Sequence, residues 1–216
     1  VFPPTAGRHV VGPMVQLRWG SPTLLTLDLA LLVELPSPIR VVVLGRLQVL
    51  LPDQSHPLIQ IRMDALGLLD VSAETVALDA TLYDSRILQF TLTGDMALRA
   101  GWGRQPQFVL AIGGFHPRFA PPPGLPALQR LALQVADGAS LQLRCQAYLA
   151  VTSNTVQFGA RVDLHAAGGG FSFDGMLGFD AIIQLAPLAF EVDVGAALAL
   201  RYHGRLLMGI SFKGRL

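Results

Sequence analysis

The chain has 216 residues, which is long enough for one large β domain or two small ones with a buried core. Hydrophobic residues make up 51% of it and charged residues only 14%, against about 25% in soluble domains. With a mean hydropathy of +0.48, part of the apolar surface needs cover from a second layer, a partner chain, a lipid-like ligand or a membrane. The net charge of +1, without a basic stripe, argues against nucleic-acid binding.

Disulfides, membrane helices and targeting segments are not predicted. The single cysteine, Cys145, excludes an intrachain disulfide framework. The sequence has no run of about 18 apolar residues, so no transmembrane helix is predicted, and it contains no recognisable signal peptide. Because the chain opens with Val1-Phe2-Pro3-Pro4 and closes inside a strand-like run, both ends are interpreted as cuts in a longer protein.

The N-terminal half predicts a succession of strands. Segments 24–34 and 40–51 carry apolar residues on both sides, which is typical of strands covered on two faces. Proline and glycine mark the breaks, as at Pro36-Ser37-Pro38 and Gly101-Trp102-Gly103. Further strands are predicted at 58–66, 71–83, 86–99 and 107–112.

A Pro/Gly-rich connection at 113–126 divides the chain into an N-terminal sheet half, 1–112, and a C-terminal meander, 127–216. The connection contains Ala120-Pro121-Pro122-Pro123-Gly124. The two halves are expected to form one continuous sheet unit.

The segment just after the connection, 127–135, is ambiguous. Leu128, Leu131 and Val135 share one side of a helix, whereas Leu131, Leu133 and Val135 share one side of a strand. A short helix is the preferred interpretation.

Strict alternation of apolar and polar residues marks the rest of the C-terminal half as strands. It runs through 141–151, 155–165, 171–181, 188–200 and 206–212. The whole chain is therefore predicted to be all-β. We expect a long-stranded antiparallel meander of roughly eleven strands, as a curled sheet or sandwich with one continuous aliphatic face.

Opposite charges predict the register of the first two C-terminal hairpins. In the first, Arg144 is expected to face Asp163, which avoids placing two arginines opposite each other. In the second, Arg161 is expected to face Asp174.

A three-residue loop, Tyr202-His203-Gly204, is predicted to close the last hairpin, with the glycine at positive φ. The resulting register places Asp193 opposite Lys213 and Glu191 opposite Arg215.

The apolar sides of these strands are predicted to be buried together in one shared layer, because a slip of one residue would turn every side chain over. The layer is represented by Leu141, Leu143, Leu149, Val156, Phe158, Val162, Phe171, Phe173 and Leu177.

No catalytic, cofactor-binding or metal-binding residue is predicted. Cys145 falls on the apolar side of its strand, away from positive charge, as an inert cysteine does. The histidines lie far apart along the chain: His9, His56, His116, His165 and His203. The carboxylates of the C-terminal half are expected to be solvated or paired across strands rather than catalytic: Asp163, Asp174, Asp180, Glu191 and Asp193.

Three runs carry a resemblance to a known group of proteins. They are Ile112-Gly113-Gly114-Phe115-His116-Pro117, Ser153-Asn154-Thr155-Val156-Gln157-Phe158-Gly159 and Phe173-Asp174-Gly175-Met176-Leu177-Gly178-Phe179-Asp180. They resemble segments of large, repetitive, uncharacterised bacterial β-proteins that carry a domain of unknown function. The resemblance covers about residues 111–216. It implies a much longer parent chain, and it brings no activity and no catalytic residue.

The function expected first is a non-enzymatic structural or scaffold β-module of a larger protein or assembly. Its partners would be the rest of the parent chain or copies of itself. The alternatives are a groove or tunnel for hydrophobic, lipid-like cargo and an outer-membrane-type β-barrel. Aromatic residues, at 7% and without girdles at the strand ends, argue against the barrel. An enzyme is expected least.

Overall fold

The computed structural model describes residues 6–36, 39–104 and 106–216, and the regular structure in these ranges is all β. Val1-Phe2-Pro3-Pro4, and Ser37 and Pro38 of the first predicted break, lie outside the described residues. The strands are β1 (His9–Val11), β2 (Met14–Trp19), β3 (Leu25–Leu35), β4 (Arg40–Leu51), β5 (Ile59–Asp70), β6 (Thr75–Leu82), β7 (Ser85–Ile87), β8 (Phe90–Thr93), β9 (Asp95–Gly101), β10 (Gln107–Ile112), β11 (Leu131–Asp137), β12 (Leu141–Thr152), β13 (Thr155–Gly168), β14 (Phe171–Gln184), β15 (Ala189–Tyr202) and β16 (Arg205–Arg215).

The sixteen strands form one antiparallel sheet, in which twelve rows follow one another across the sheet. The prediction of an all-β antiparallel fold is confirmed. The strand count is higher than expected because several rows consist of two short strands in line. β6 and β7 both pair with β5, and β10 and β11 both pair with β12. Positive φ at Asp84 (41°) and Gly94 (155°) interrupts two of these rows.

The prediction of a helix at 127–135 is wrong, because Leu131–Asp137 forms β11. Leu131 faces Ala147 and Leu133 faces Cys145 in the neighbouring β12, while β8 pairs on the other side. The strand alternation prevails over the helical spacing because β11 fills the part of the row that β10 leaves open.

The described residues contain no helix with the length and apolarity that crossing a membrane would require.

The register of the first C-terminal hairpin is confirmed, since Arg144 faces Asp163. The register of the second is wrong, because Asp174 faces His165 instead of Arg161. Gly168 pairs with Phe171, which leaves a two-residue loop of Gly169 and Gly170 with φ of 58° and 81°. Two residues of positive φ match the twist of the flanking strands, so the tight glycine turn decides the register.

The predicted register of the last hairpin is also wrong. Tyr202 pairs with Arg205, so the loop is His203 and Gly204, with φ of 46° and 78°. A register shift next to the turn then brings Asp193 opposite Arg215 instead of Lys213. Glycine at positive φ is confirmed, but the loop is one residue shorter than expected.

One row of apolar residues crosses the sheet from β2 to β15 and defines what we name the apolar face. Each member lies directly opposite the next in the pairing of neighbouring strands. Every Asp, Glu, Lys and Arg within β2 to β15 lies on the other side, which we name the charged face. The row is Val15, Leu29, Gly45, Ala65, Ala80, Met96, Ile112, Leu149, Phe158, Ala181 and Val192.

The predicted burial of the apolar sides in a shared layer is wrong for the chain on its own. These side chains do share one face, but Leu177 is 60% and Phe158 39% exposed. The chain exposes 13,366 Å², whereas a compact monomer of 23.1 kDa exposes about 9,700 Å². No second layer covers the apolar face among the described residues, so alternation alone could not bury it.

Candidate functional site

The apolar face is the first of two candidate surfaces. Eleven row spacings of about 4.8 Å and strands of about twelve residues make it roughly 50 Å by 40 Å. Its exposed side chains concentrate on β14 to β16 and include Leu177, Phe190, Ile210 and Phe212. Contiguous apolar patches on soluble monomers seldom exceed a few hundred Å², so a face of this size is a candidate interaction surface.

Cys145 lies near the middle of β12 on this same face and is half-buried. Its neighbours across the strands are Leu133 of β11 and Val162 of β13. The placement on the apolar side is as predicted from the sequence. It puts the chain's single thiol where a covering layer would shield it.

The charged face of the N-terminal half carries side chains that pair across the strands. Gln16 Nε2 donates to Asp28 Oδ1 at 2.7 Å, and Arg46 Nε donates to Asp64 Oδ1 at 2.9 Å. Hydrogen bonding to Asp64 raises the pKa of Arg46. Asp28, Arg46 and Asp64 stand in one row, so unlike groups face each other from strand to strand.

A second set of ion pairs closes the end of the same strands. Glu34 is almost fully buried, and Arg8 Nη1 lies 3.2 Å from its Oε1. Arg40 Nε donates to Asp70 Oδ2 at 3.0 Å. The backbone N–H of Ala73 and then Arg40 lower the pKa of Asp70. Both carboxylates therefore have a structural role, since each binds a group of a neighbouring strand or turn.

The connection between β10 and β11, residues 113–130, lies on the charged face, and we name it the strap. Its anchor is His116, which is 2% exposed and whose backbone N–H donates to Gln157 Oε1 at 2.9 Å. Gln157 is fully buried, and its Nε2 donates to Thr155 Oγ1 at 2.8 Å. The Arg118 N–H donates to His116 Nδ1 at 3.2 Å, which assigns the proton of the neutral ring to Nε2. Burial lowers the pKa of His116.

Arg130 fixes the other end of the strap. Its guanidinium stacks 3.8 Å from the centroid of the Tyr148 ring and donates to the carbonyls of Gly113 (3.0 Å) and Phe115 (2.7 Å). The Tyr148 hydroxyl donates to Asp180 Oδ1 at 2.9 Å. Burial and the bond to Asp180 raise the pKa of Tyr148, so the phenol stays protonated.

A cavity of about 780 Å³ lies beside the strap on the charged face. Its charged lining includes Arg130, Arg161, Asp180, Asp193 and Lys213. Most of these groups are already engaged. Arg161 Nε donates to both Asp163 oxygens at 2.9 and 2.8 Å, and Asp193 is held by Arg118 of the strap and by Arg215. The bond from Arg215 contributes most to the lowered pKa of Asp193.

A second cavity, of about 660 Å³, opens over β12 to β15. His165 Nδ1 lies 2.6 Å from Asp174 Oδ1, and Arg201 contacts the other oxygen of Asp174. Hydrogen bonding to His165 is the first cause of the lowered pKa of Asp174, and the charge of Arg201 adds to it. The carboxylates that the sequence singled out, apart from Asp180, are thus paired with cations.

The histidines do not come together. His116 is the anchor of the strap, His165 pairs with Asp174, and His203 packs on Tyr202 in the last turn. Within the described ranges, no group of three or more His, Cys, Asp or Glu side chains is placed to hold a metal ion. The charged face is held by ion pairs and hydrogen bonds across strands, within a strand and from the strap.

Sequence reasoning missed the network formed by Arg130, Tyr148 and Asp180, and the separate bond between Gln157 and His116. A signal for part of it was available, because the confirmed first hairpin register places Tyr148 opposite Gly159. A large ring facing a glycine indicates a side chain that crosses the neighbouring strand. The contact with Gln157 could not be found, because it depends on how the strap folds back.

These features define an all-β protein whose described residues form one antiparallel sheet, with an apolar face that none of them covers and a charged face that carries the strap. The chain matches a family of unknown function, DUF6603, over residues 1–216, and it belongs to that family. The match covers the whole chain, whereas the three runs that carry the sequence resemblance lie within residues 111–216. Comparison with curated proteins and with solved structures gives no match.

Proposed function

We propose that this chain is a non-enzymatic structural module whose apolar face packs against a second protein layer in a larger protein or assembly. The observation that carries the proposal is the apolar face itself, which crosses the sheet without a charged residue from β2 to β15 and is uncovered. Exposed apolar area of this extent is unfavourable in water, and burying it is the main driving force for association.

Aromatic packing on the face favours a protein layer. Phe158 and Phe179 lie in the interior of β13 and β14, and their rings make an edge contact with centroids 6.2 Å apart. Aromatic pairs of this kind are typical of protein cores. Two sheets with such faces pack about 10 Å apart with interdigitating side chains.

The charged face supports a structural role in a different way. The strap is anchored through buried Gln157 and His116, and its Arg118 contacts Glu191 and Asp193 on β15. These contacts tie residues 113–130 to β13 and β15, far away in sequence. The expected result is a sheet braced on its charged face, with the apolar face left free for docking.

Binding of hydrophobic, lipid-like cargo is the second candidate. It is favoured by the continuity of the apolar row from Val15 to Val192, along which acyl chains would meet no charged group. The two functions predict different occupants for the same surface.

Chemical analysis of the purified full chain separates them. Native mass spectrometry and organic extraction should find particles that are soluble without detergent and free of stoichiometric lipid. Acyl lipid in a fixed ratio to protein would contradict the proposal and support the cargo function. A strict requirement for detergent would contradict it in favour of a membrane-embedded sheet.

A further inference from the structure

The uncovered area of this chain has the scale of an obligate interface. Its exposed area of 13,366 Å² exceeds the value for a compact monomer by about 3,700 Å². Two copies that each covered this excess would bury about 7,400 Å² in total, which is at or above the 2,000–5,000 Å² or more of obligate homodimers, whose interfaces resemble a domain core cut in half. A partner that covers the apolar face must therefore be as large as the sheet itself.

The apolar face is compatible with its own copy. Because β2 to β15 place no charged residue on it, two identical faces can meet over these strands without like charges approaching each other. In β16, Arg205 lies opposite Tyr202 of this face, next to the last turn and at the margin of the face. A two-fold axis requires such a self-complementary surface, since the same patch is used on both subunits.

Other contacts between copies are less favourable. The edge strand β16 carries Arg205, Lys213 and Arg215, and the opposite edge strand β2 carries Arg18. Edge-to-edge pairing of copies would bring basic strands together, and charges on edge strands are a known barrier to such pairing. The face, and not the edge, is the surface that admits a second copy.

We propose that a second copy of this chain covers the apolar face, forming a two-fold dimer in which the two sheets pack as a sandwich. This inference rests on the proposed function, because it names the protein layer. Side chains of β12 to β16 such as Cys145, Leu177 and Ile210 then lie between two sheets whose backbones are about 10 Å apart.

A matched pair of variants on one strand tests the mode of association. Ile210 is 62% exposed on the apolar face, and the next residue, Ser211, is exposed on the charged face. Light scattering of the full chain should give twice the chain mass of 23.1 kDa. Ile210→Lys should shift the particle to the monomer mass, and Ser211→Lys should leave the dimer unchanged. Both variants should keep the β circular dichroism of the parent chain, since neither side chain is buried within its own chain.

The native thiol gives a second, independent readout. In the dimer, Cys145 should react with a water-soluble thiol reagent about a hundredfold more slowly than in Ile210→Lys, since reaction then requires dissociation. The control is a thiol moved to the charged face of the same strand by Cys145→Ala with Gln142→Cys, which should react rapidly in either state.

A particle of monomer mass would contradict the proposed dimer. A dimer in which Cys145 reacts as fast as the control thiol would contradict it as well. Organic extraction of the same sample tests the proposed function separately from the proposed dimer. A monomer free of lipid leaves the protein-layer function standing with another partner, whereas a monomer with stoichiometric acyl lipid overturns both.

Discussion

Tyr148 of β12 lies directly opposite Gly159 of β13, and its ring crosses the strand at this glycine. A Cβ atom at position 159 would stand 2.5 Å from Tyr148 Cε1 and 2.7 Å from the Phe179 carbonyl oxygen. The missing side chain therefore lets the Tyr148 hydroxyl reach Asp180. The strap rests on this arrangement through the stacking of Arg130.

Gly159→Ala is expected to lower the free energy of unfolding by about 1–3 kcal/mol, because the added methyl group overpacks a fixed ring and a backbone carbonyl. Urea denaturation measures the loss. The control is Gly168→Ala in the same strand, where a Cβ would meet no atom within 4 Å. A loss as large for Gly168→Ala as for Gly159→Ala would contradict the packing argument.

Gln157→Leu should destabilise the chain by about 1–3 kcal/mol, because the buried N–H of His116 loses its acceptor. The loss should appear together with faster proteolytic cleavage within residues 113–130, since this bond anchors the strap. Gln142→Leu, on the exposed part of the charged face, is the control and should leave the cleavage rate unchanged. Equal cleavage of both variants would show that Gln157 does not hold the strap.

The stability of the chain should fall as the pH drops below about 6.5. Burial lowers the pKa of His116 in the folded chain below its ordinary value of 6.5. The unfolded chain therefore takes up the proton first as the pH falls, which favours unfolding. The stabilisation is complete above the unfolded pKa and is lost on the acid side of it.

Denaturation curves measured from pH 8 down to pH 5 test this linkage. His116→Gln replaces the imidazole with a polar amide that does not titrate. Its free energy of unfolding should therefore change less with pH over this range. His56→Gln, in an exposed loop, is the control and should keep the profile of the parent chain. A profile for His116→Gln as steep as that of the parent would contradict the assignment.

In the free chain, truncating a side chain on the apolar face of β13 should cost only slightly more stability than truncating one on its charged face, because the apolar face is not fully packed. Phe158→Ala is expected to cost about 1–2 kcal/mol instead of the 3–5 kcal/mol of a fully buried ring, because the ring is 39% exposed. Asp163→Ala should cost about 1 kcal/mol or less, since its partner Arg161 is more than half exposed. Denaturation at low protein concentration measures both. A loss of 3 kcal/mol or more for Phe158→Ala there would show that the apolar face is already covered within one chain.

The strands and their faces could be predicted from the sequence because their physical cause is local. Alternation such as that from Val156 to Leu164 fixes which side chains share a side, whatever covers them. The confirmed register that places Arg144 opposite Asp163 also has a local cause in the short loop of the hairpin, although the Asp163 carboxylate bonds to Arg161 of its own strand.

Two kinds of feature could not be predicted. Register in the other hairpins depends on tight turns at Gly169-Gly170 and His203-Gly204, and there the backbone requirement overrides the charge pairs. Burial depends on what lies over the sheet, so a side chain such as Leu177 can belong to an apolar row and still be exposed. Alternation identifies a face but not its partner.

Covalent footprinting of the native particle in water tests most directly whether protein covers the apolar face. Carbene labelling, read by mass spectrometry of peptides, should show Leu177, Phe190 and Ile210 protected in the native particle and modified after dissociation in mild denaturant. Gln142 and Ser211, on the charged face, should be modified equally in both states. Strong labelling of Leu177, Phe190 and Ile210 in the native, lipid-free particle would show that the face stays open to solvent and would contradict the account.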